Sequence, residues 1–221
     1  KLLLSLLPAI LVIILIVGAA SYKVSKDYIR IALGRTVAMQ NLAIVHDIEL
    51  FMDNCATDLR FFARCKQEGE DIGQQFRNRI KAGGIPYYEL AYIPASTGTP
   101  QIFIHKNGKV TSLDDNAVDR ISPDPLLELK KLSSLQKGEV QPSYIREITY
   151  PLPDNENRNM LTKEKIIRFY IRAAGSRGQT DGIMLLSVKA EKLRDFLTLY
   201  DSENSPLWSL QRSDELRFSY F

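Results

Sequence analysis

Apolar and polar positions change pattern three times along this chain. From Leu2 to Ala20 the sequence LLLSLLPAILVIILIVGAA carries no charged side chain. At about 1.5 Å of rise per residue, a helix of that length matches the hydrocarbon core of a bilayer. Pro8 lies near the start of the run, where few backbone groups are freed by it. The rival reading is a secretory signal peptide, with Gly18-Ala19-Ala20 as a cleavage site, but such apolar cores are usually shorter. Between Ser25 and Cys65 there is no proline and a single glycine, Gly34. Val37, Ile44, Ile48, Phe51, Cys55, Leu59 and Phe62 recur there mostly three or four apart, which predicts one long helix with an apolar stripe. That stripe needs a surface to cover it, either the helix's own domain or the same helix of a second subunit.

A second short helix is predicted over Asp71 to Lys81, closed by Ala82-Gly83-Gly84, and then the period falls to two. Tyr87 to Ile93 and Gln101 to His105 read as strands joined through Pro94 to Pro100. The Asn107-Gly108 turn can extend the hairpin through Lys109 to Ser112. Asp124-Pro125 reads as an N-cap with proline at the first helical position, and Leu126, Leu129, Leu132 and Leu135 as a one-faced helix ending at Gly138. Three more strands follow, Glu139 to Thr149, Lys165 to Ala174 and Gly182 to Val188, the last two joined by the turn Gly175-Ser176-Arg177-Gly178. An amphipathic helix from Lys189 to Tyr200 closes the series. The fold class is therefore α+β, an N-terminal transmembrane helix continuing into a long helix packed on an antiparallel sheet. The chain starts at Lys1 and stops at Arg217-Phe218-Ser219-Tyr220-Phe221, which has the look of a strand beginning, so both ends read as cut.

Charge adds little. The 29 basic and 26 acidic residues leave a formal net charge of +3, spread along the chain. It marks neither a nucleic-acid footprint nor a polybasic lipid-binding tract. Lys23, Lys26, Arg30 and Arg35 follow the apolar run while only Lys1 precedes it; that count points the domain inward, but large domains translocate largely regardless of charge. Cys55 and Cys65 stand ten helical residues apart, about 15 Å, against a limit of about 7 Å between α-carbons for a disulfide. The two read as buried thiols that behave as small hydrophobes. With His46 and His105 the only histidines and no CxxC, no metal site is expected.

The order of elements behind a membrane span resembles the extracytoplasmic double Cache (PAS-like) sensor domains of bacterial signal-transduction proteins. Lys137-Gly138-Glu139-Val140-Gln141-Pro142-Ser143 is similar to their "kGEVyvSp" stretch, Ile166-Ile167-Arg168-Phe169 to "pviRfatP", and Gly182-Ile183-Met184-Leu185-Leu186-Ser187-Val188 to "Gilvlnv". The resemblance runs from about Ser25 to Tyr200. It divides the chain into a transmembrane helix (1–21), a long helix plus a short one (22–84), a PAS-like Cache module (85–200), and a linker with the start of a truncated second module (201–221). It implies a ligand-sensing input domain, periplasmic or extracellular, of a chemoreceptor, histidine kinase or diguanylate cyclase in the cytoplasmic membrane. The amino-acid-sensing members carry an arginine followed closely by tryptophan and tyrosine. Here Ile121-Ser122-Pro123 follows Arg120, and the sole tryptophan is Trp208, so an amino-acid ligand is not supported. Ala91 stands where kinase-linked relatives often have an arginine.

Alternation in the strand Lys165 to Ala174 puts Ile167, Phe169, Ile171 and Ala173 on one face, suited to the long helix, and Arg168, Tyr170 and Arg172 on the other. Two arginines flanking a tyrosine make a candidate site for a small organic acid, since arginine offers a planar fork and tyrosine a hydroxyl donor. The competing reading is a solvated strand face whose arginines pair with Glu147 or Asp181. No Walker A loop, GxSxG, HExxH or dinucleotide fingerprint occurs in context, so no catalytic residue and no cofactor is assigned. The expected partners are a small-molecule ligand, the lipid bilayer through Leu2 to Ala20 and a second copy of the chain, with no nucleic acid. The alternative function is a membrane-anchored scaffold or assembly subunit that binds another protein.

Overall fold

The computed structural model describes residues 2–83, 85, 87–95, 99–151, 161–173 and 182–198, without the side chains of 2–11, 161, 194 and 196–198. The predicted Gly175–Gly178 turn, the end of the last helix at Tyr200, Asp181, Trp208 and the strand from Arg217 lie outside the described residues. The chain divides after Asp47, and Ile48–Leu197 form one compact unit. Helix α1 covers Leu2–Glu68. Among the described residues no helix is long and apolar enough to cross a membrane; of the run read as a span, the side chains of 2–11 lie outside what the structure describes. Val12 to Val17 are each more than half exposed.

Asp71 caps helix α2 (Ile72–Lys81) by accepting from the backbone N–H groups of Gly73 and Gln74, as an N-cap carboxylate should. Strands β1 (Tyr87–Pro94), β2 (Gln101–Lys106) and β3 (Lys109–Ser112) form a meander. Asn107 and Gly108 both take positive φ in its second turn, the geometry that an Asn-Gly pair permits. Helix α3 is a single turn, Asp115–Val118, too short for the periodicity of the sequence to reveal. Strands β4 (Val140–Pro142), β5 (Arg146–Pro151), β6 (Leu161–Ala173) and β7 (Gly182–Lys189) complete an antiparallel sheet ordered β3-β2-β1-β7-β6-β4, with β5 also on β6. Helix α4 (Glu191–Thr198) follows.

Two predicted elements take a different form. The helix placed on Leu126, Leu129, Leu132 and Leu135 is a 3₁₀ helix over Pro125–Lys131. A strict spacing of three suits three residues per turn better than 3.6. Leu126 at its start is about half exposed, Leu129 and Leu132 pack against the sheet core, and Pro125 and Glu128 are buried. The single strand expected over Glu139 to Thr149 is broken into β4 and β5. Ser143 bridges the break, its backbone N–H donating to the Arg168 carbonyl at 2.7 Å and its Oγ accepting from the Arg168 N–H at 3.0 Å.

The sheet is apolar on both faces. Ile167, Phe169, Ile171 and Ala173 of β6 pack with Phe51, Cys55, Leu59 and Phe62 of α1 and Phe76 of α2, the face expected from alternation. The opposite face gathers Ala91, Ile104, Ile148, Tyr150, Tyr170 and Leu185 under Val118 of α3 and Leu135 beyond the 3₁₀ helix. Between helices and sheet, Asp58 of α1 accepts from both Arg79 Nε and Nη2, at 2.8 and 2.7 Å, and from the Tyr87 hydroxyl at 2.5 Å. This joins α1, α2 and β1 through one carboxylate.

Candidate ligand-binding site

On the face away from α1, the apolar surface is interrupted by charge. The interruption starts with a backbone irregularity in β1. Tyr87 pairs with Val188 and Glu89 with Ser187, so two steps on β1 meet one on β7. The bulge breaks the alternation, and Tyr88 and Glu89 both serve the face away from α1 while Tyr87 and Leu90 serve the other. Glu89, Ser187 and Arg168 then form a row across three neighbouring strands, since Ser187 is the register partner of both Glu89 and Arg168.

Arg168 is 1% exposed and Glu89 fully buried. Arg168 Nε donates to Glu89 Oε2 at 3.0 Å and Nη2 to Glu89 Oε1 at 2.8 Å, a two-pronged pair that suits the guanidinium fork. Nη2 also donates to the Tyr150 hydroxyl at 3.2 Å and Nη1 to Glu128 Oε1 at 3.1 Å. Of the five N–H donors on a guanidinium, these bonds occupy four. Ser187 Oγ donates to Glu89 Oε2 at 2.5 Å. Burial alone works to lower the pKa of Arg168, but the charges of Glu89 and Glu128 outweigh it and the pKa is raised. Arg168 is therefore held as a cation.

Glu128 comes from the 3₁₀ helix and is 4% exposed. Its Oε1 also accepts from Arg146 Nη1 of β5, and its Oε2 lies 3.7 Å from Lys131 Nζ. Lys131 Nζ in turn stands 3.8 Å from the centroid of the Tyr170 ring, a cation–π contact. Three residues per turn bring Pro125, Glu128 and Lys131 to one side of the 3₁₀ helix. Burial is the larger influence on Lys131 and lowers its pKa against the pull of Glu128. The Arg146 and Lys131 side chains keep about a third of their surface exposed, so solvent reaches the cluster from their side while Arg168 forms a sealed floor.

The Tyr170 hydroxyl is fully buried and has no hydrogen-bond partner, and the same holds for Tyr88. Burial first and Glu128 second, the latter by its charge and as an acceptor just outside hydrogen-bond geometry, raise the pKa of Tyr170, so it stays a neutral donor beside that carboxylate. An unpaired hydroxyl in such a place costs about 1–3 kcal/mol.

Of the trio singled out by alternation, Arg168 and Tyr170 belong to this cluster. Arg172 is exposed, opposite Ile183, four residues and about 13 Å further along the strand. The arginine partners named with the solvated-face reading are not those observed for Arg168; Glu147 lies 3.4 Å from Lys163. Sequence reasoning missed Glu89, Glu128, Tyr150, Arg146, Lys131 and Ser187. The available signal was one charge, Glu89, and one hydroxyl, Ser187, each inside an otherwise apolar strand. Among the described residues no group of His, Cys, Asp and Glu could hold a metal ion, and Cys55 and Cys65 are free thiols.

No family model matches this chain, and no curated protein does. Among the solved structures to which it is similar are the following two. One is the "extracellular domain of the putative histidine kinase soHK1S-Z6", 13% identical over 68% of this chain with a TM-score of 0.44. The other is the corresponding domain of vpHK1S-Z8, 15% identical over 75% with a TM-score of 0.39. The chain spans 57% of the length of each. A likeness at this level assigns no function.

Proposed function

We propose that this chain is the extracytoplasmic, small-molecule-sensing part of a membrane-bound signal-transduction receptor of histidine kinase, chemoreceptor or diguanylate cyclase type. It is anchored in the cytoplasmic membrane by Leu2 to Ala20, acts as a homodimer, and binds a small anion on the sheet face away from α1. One observation carries this reading: a charged cluster sunk in an apolar sheet face beside unpartnered tyrosine hydroxyls. A buried ion-pair network is a weak source of stability, because desolvation offsets most of its attraction. Apolar side chains of similar volume would hold the same fold. Here three cations, Arg146, Lys131 and Arg168, surround two carboxylates, Glu89 and Glu128. The balance leaves one positive charge, and Tyr170 contributes a buried donor that no protein group uses. Both features suit an incoming anion.

The anchor is supported by the uncharged run and by the exposure of Val12 to Val17, side chains that water would not favour on a surface. The location reading rests on residues of this chain. Reporter fusions C-terminal to Tyr200 test it: alkaline phosphatase should be active there and a cytoplasmic fluorescent reporter dark, and the reverse pattern would overturn the localisation. Sensing itself is tested by a thermal-shift screen of carboxylates, amines, nucleobases and sugars. A ligand that binds only the folded state must raise its melting temperature. The scaffold reading expects no shift with any of them.

A further inference from the structure

We propose that Glu128 is a built-in occupant of the anion seat, and that the ligand is a small organic monocarboxylate that displaces it. This rests on the sensing reading above and adds the charged group of the ligand and the way it enters. Glu128 is held as a bound anion would be: Arg168 and Arg146 both donate to Oε1, and Lys131 stands by Oε2. The two carboxylates of the cluster differ in origin. Glu89 is fixed by its strand, gripped by both prongs of Arg168 and by Ser187. Glu128 alone is delivered from outside the sheet, on the 3₁₀ helix Pro125–Lys131. Such helices have poorer hydrogen-bond geometry than α-helices, and moving one leaves the strand ladder intact.

The side of the cluster that solvent reaches is the side of Arg146 and Lys131, which are two of the three groups holding Glu128. With Glu128 withdrawn, those cations and the Nη1 edge of Arg168 would face a vacancy beside the unpartnered Tyr170 hydroxyl. A carboxylate restores each contact that Glu128 made. A single negative charge preserves the charge balance, whereas an amine would add to the excess of cations. Because ligand and Glu128 compete, the apparent affinity of the native chain is reduced by the fraction of molecules with the seat open.

Acetate is the probe, since it is the group that Glu128→Ala deletes beyond the β-carbon. The 221-residue chain in mild detergent is melted with increasing acetate, with ethylammonium as the cationic control. Glu128→Ala should melt below the native chain. Acetate should restore its melting temperature saturably, at concentrations about tenfold or more below those acting on the native chain. Arg146→Ala added to it should abolish the restoration, and ethylammonium should have no effect. If Glu128→Ala does not fold, Glu128→Gln holds the seat without the charge and should show a smaller gain in acetate affinity over the native chain. Acetate acting equally on native and variant chains, or on none of them, overturns the proposal. A screen compound that stabilises the native chain and binds Glu128→Gln no more tightly leaves sensing standing and removes Glu128 as the occupant.

Discussion

Arg168 shows how a side chain can be read correctly for its face and incompletely for its role. Alternation along β6 places it opposite the residues that pack on α1, and there it lies. Its partners, Glu89 and Glu128, are 79 and 40 residues away in sequence, beyond anything that spacing within a strand can reveal. Four of its five donors are engaged while Glu128 is seated, so a ligand meets only its Nη1 edge. Its first duty is to neutralise Glu89. Breaking a buried ion pair from one side costs about 3–5 kcal/mol, because the abandoned charge stays buried, while replacing both partners by apolar groups costs far less. Arg168→Met and Glu89→Met should therefore each lower the unfolding free energy by about that amount. The double variant should lose well short of the sum. Urea titrations of the four proteins give the coupling, and losses additive to within about 0.5 kcal/mol would contradict the pairing. Arg146 and Lys131, at the open side of the cluster, are the positions where a substitution separates binding from folding.

At the scale of elements, the strands and α2 were legible because each carries a local signal: the period of two, the Asn-Gly turn, the Asp71 cap. What escaped had no local signal or a misleading one. The leucines at 126, 129, 132 and 135 advertise an apolar helix face, yet the residues that matter there are Glu128 and Lys131, brought inward by the tighter 3₁₀ winding. The β1 bulge that delivers Glu89 is a matter of pairing with β7, and pairing is not written in either strand alone. Helix α1 carries one apolar set that is buried and another that is exposed. Phe51, Cys55, Leu59 and Phe62 are buried in the core under the sheet, whereas Met39, Leu42, Val45 and Leu50 are half or more exposed. The second set is the surface we assign to a partner copy. Single cysteines placed from Thr36 to Asp53, with Cys55 and Cys65 replaced by alanine, should crosslink with a period of three to four residues. A flat profile without crosslinks would leave α1 as a core helix alone.

On the scale of the whole molecule, an apolar N-terminal run leads into the long helix α1, and the two faces of the sheet differ in what covers them. One face is closed by α1 and α2 around an apolar core. The other keeps a charged, incompletely satisfied cluster under the 3₁₀ segment that delivers Glu128. The central claim is that a small anion binds among Arg146, Lys131 and Tyr170, and it is tested most directly by comparing two melting curves. The compound giving the largest shift in the screen is titrated against the native chain and against Arg146→Ala. A charge-assisted arginine contact is worth about 1.5–3 kcal/mol, so the variant should need about one to two decades more ligand for the same shift. Its unliganded melting temperature should change little, because Arg146 is a partly exposed partner of Glu128. A neutral or cationic compound as the best ligand, or an anion whose shift survives Arg146→Ala unchanged, would contradict the account.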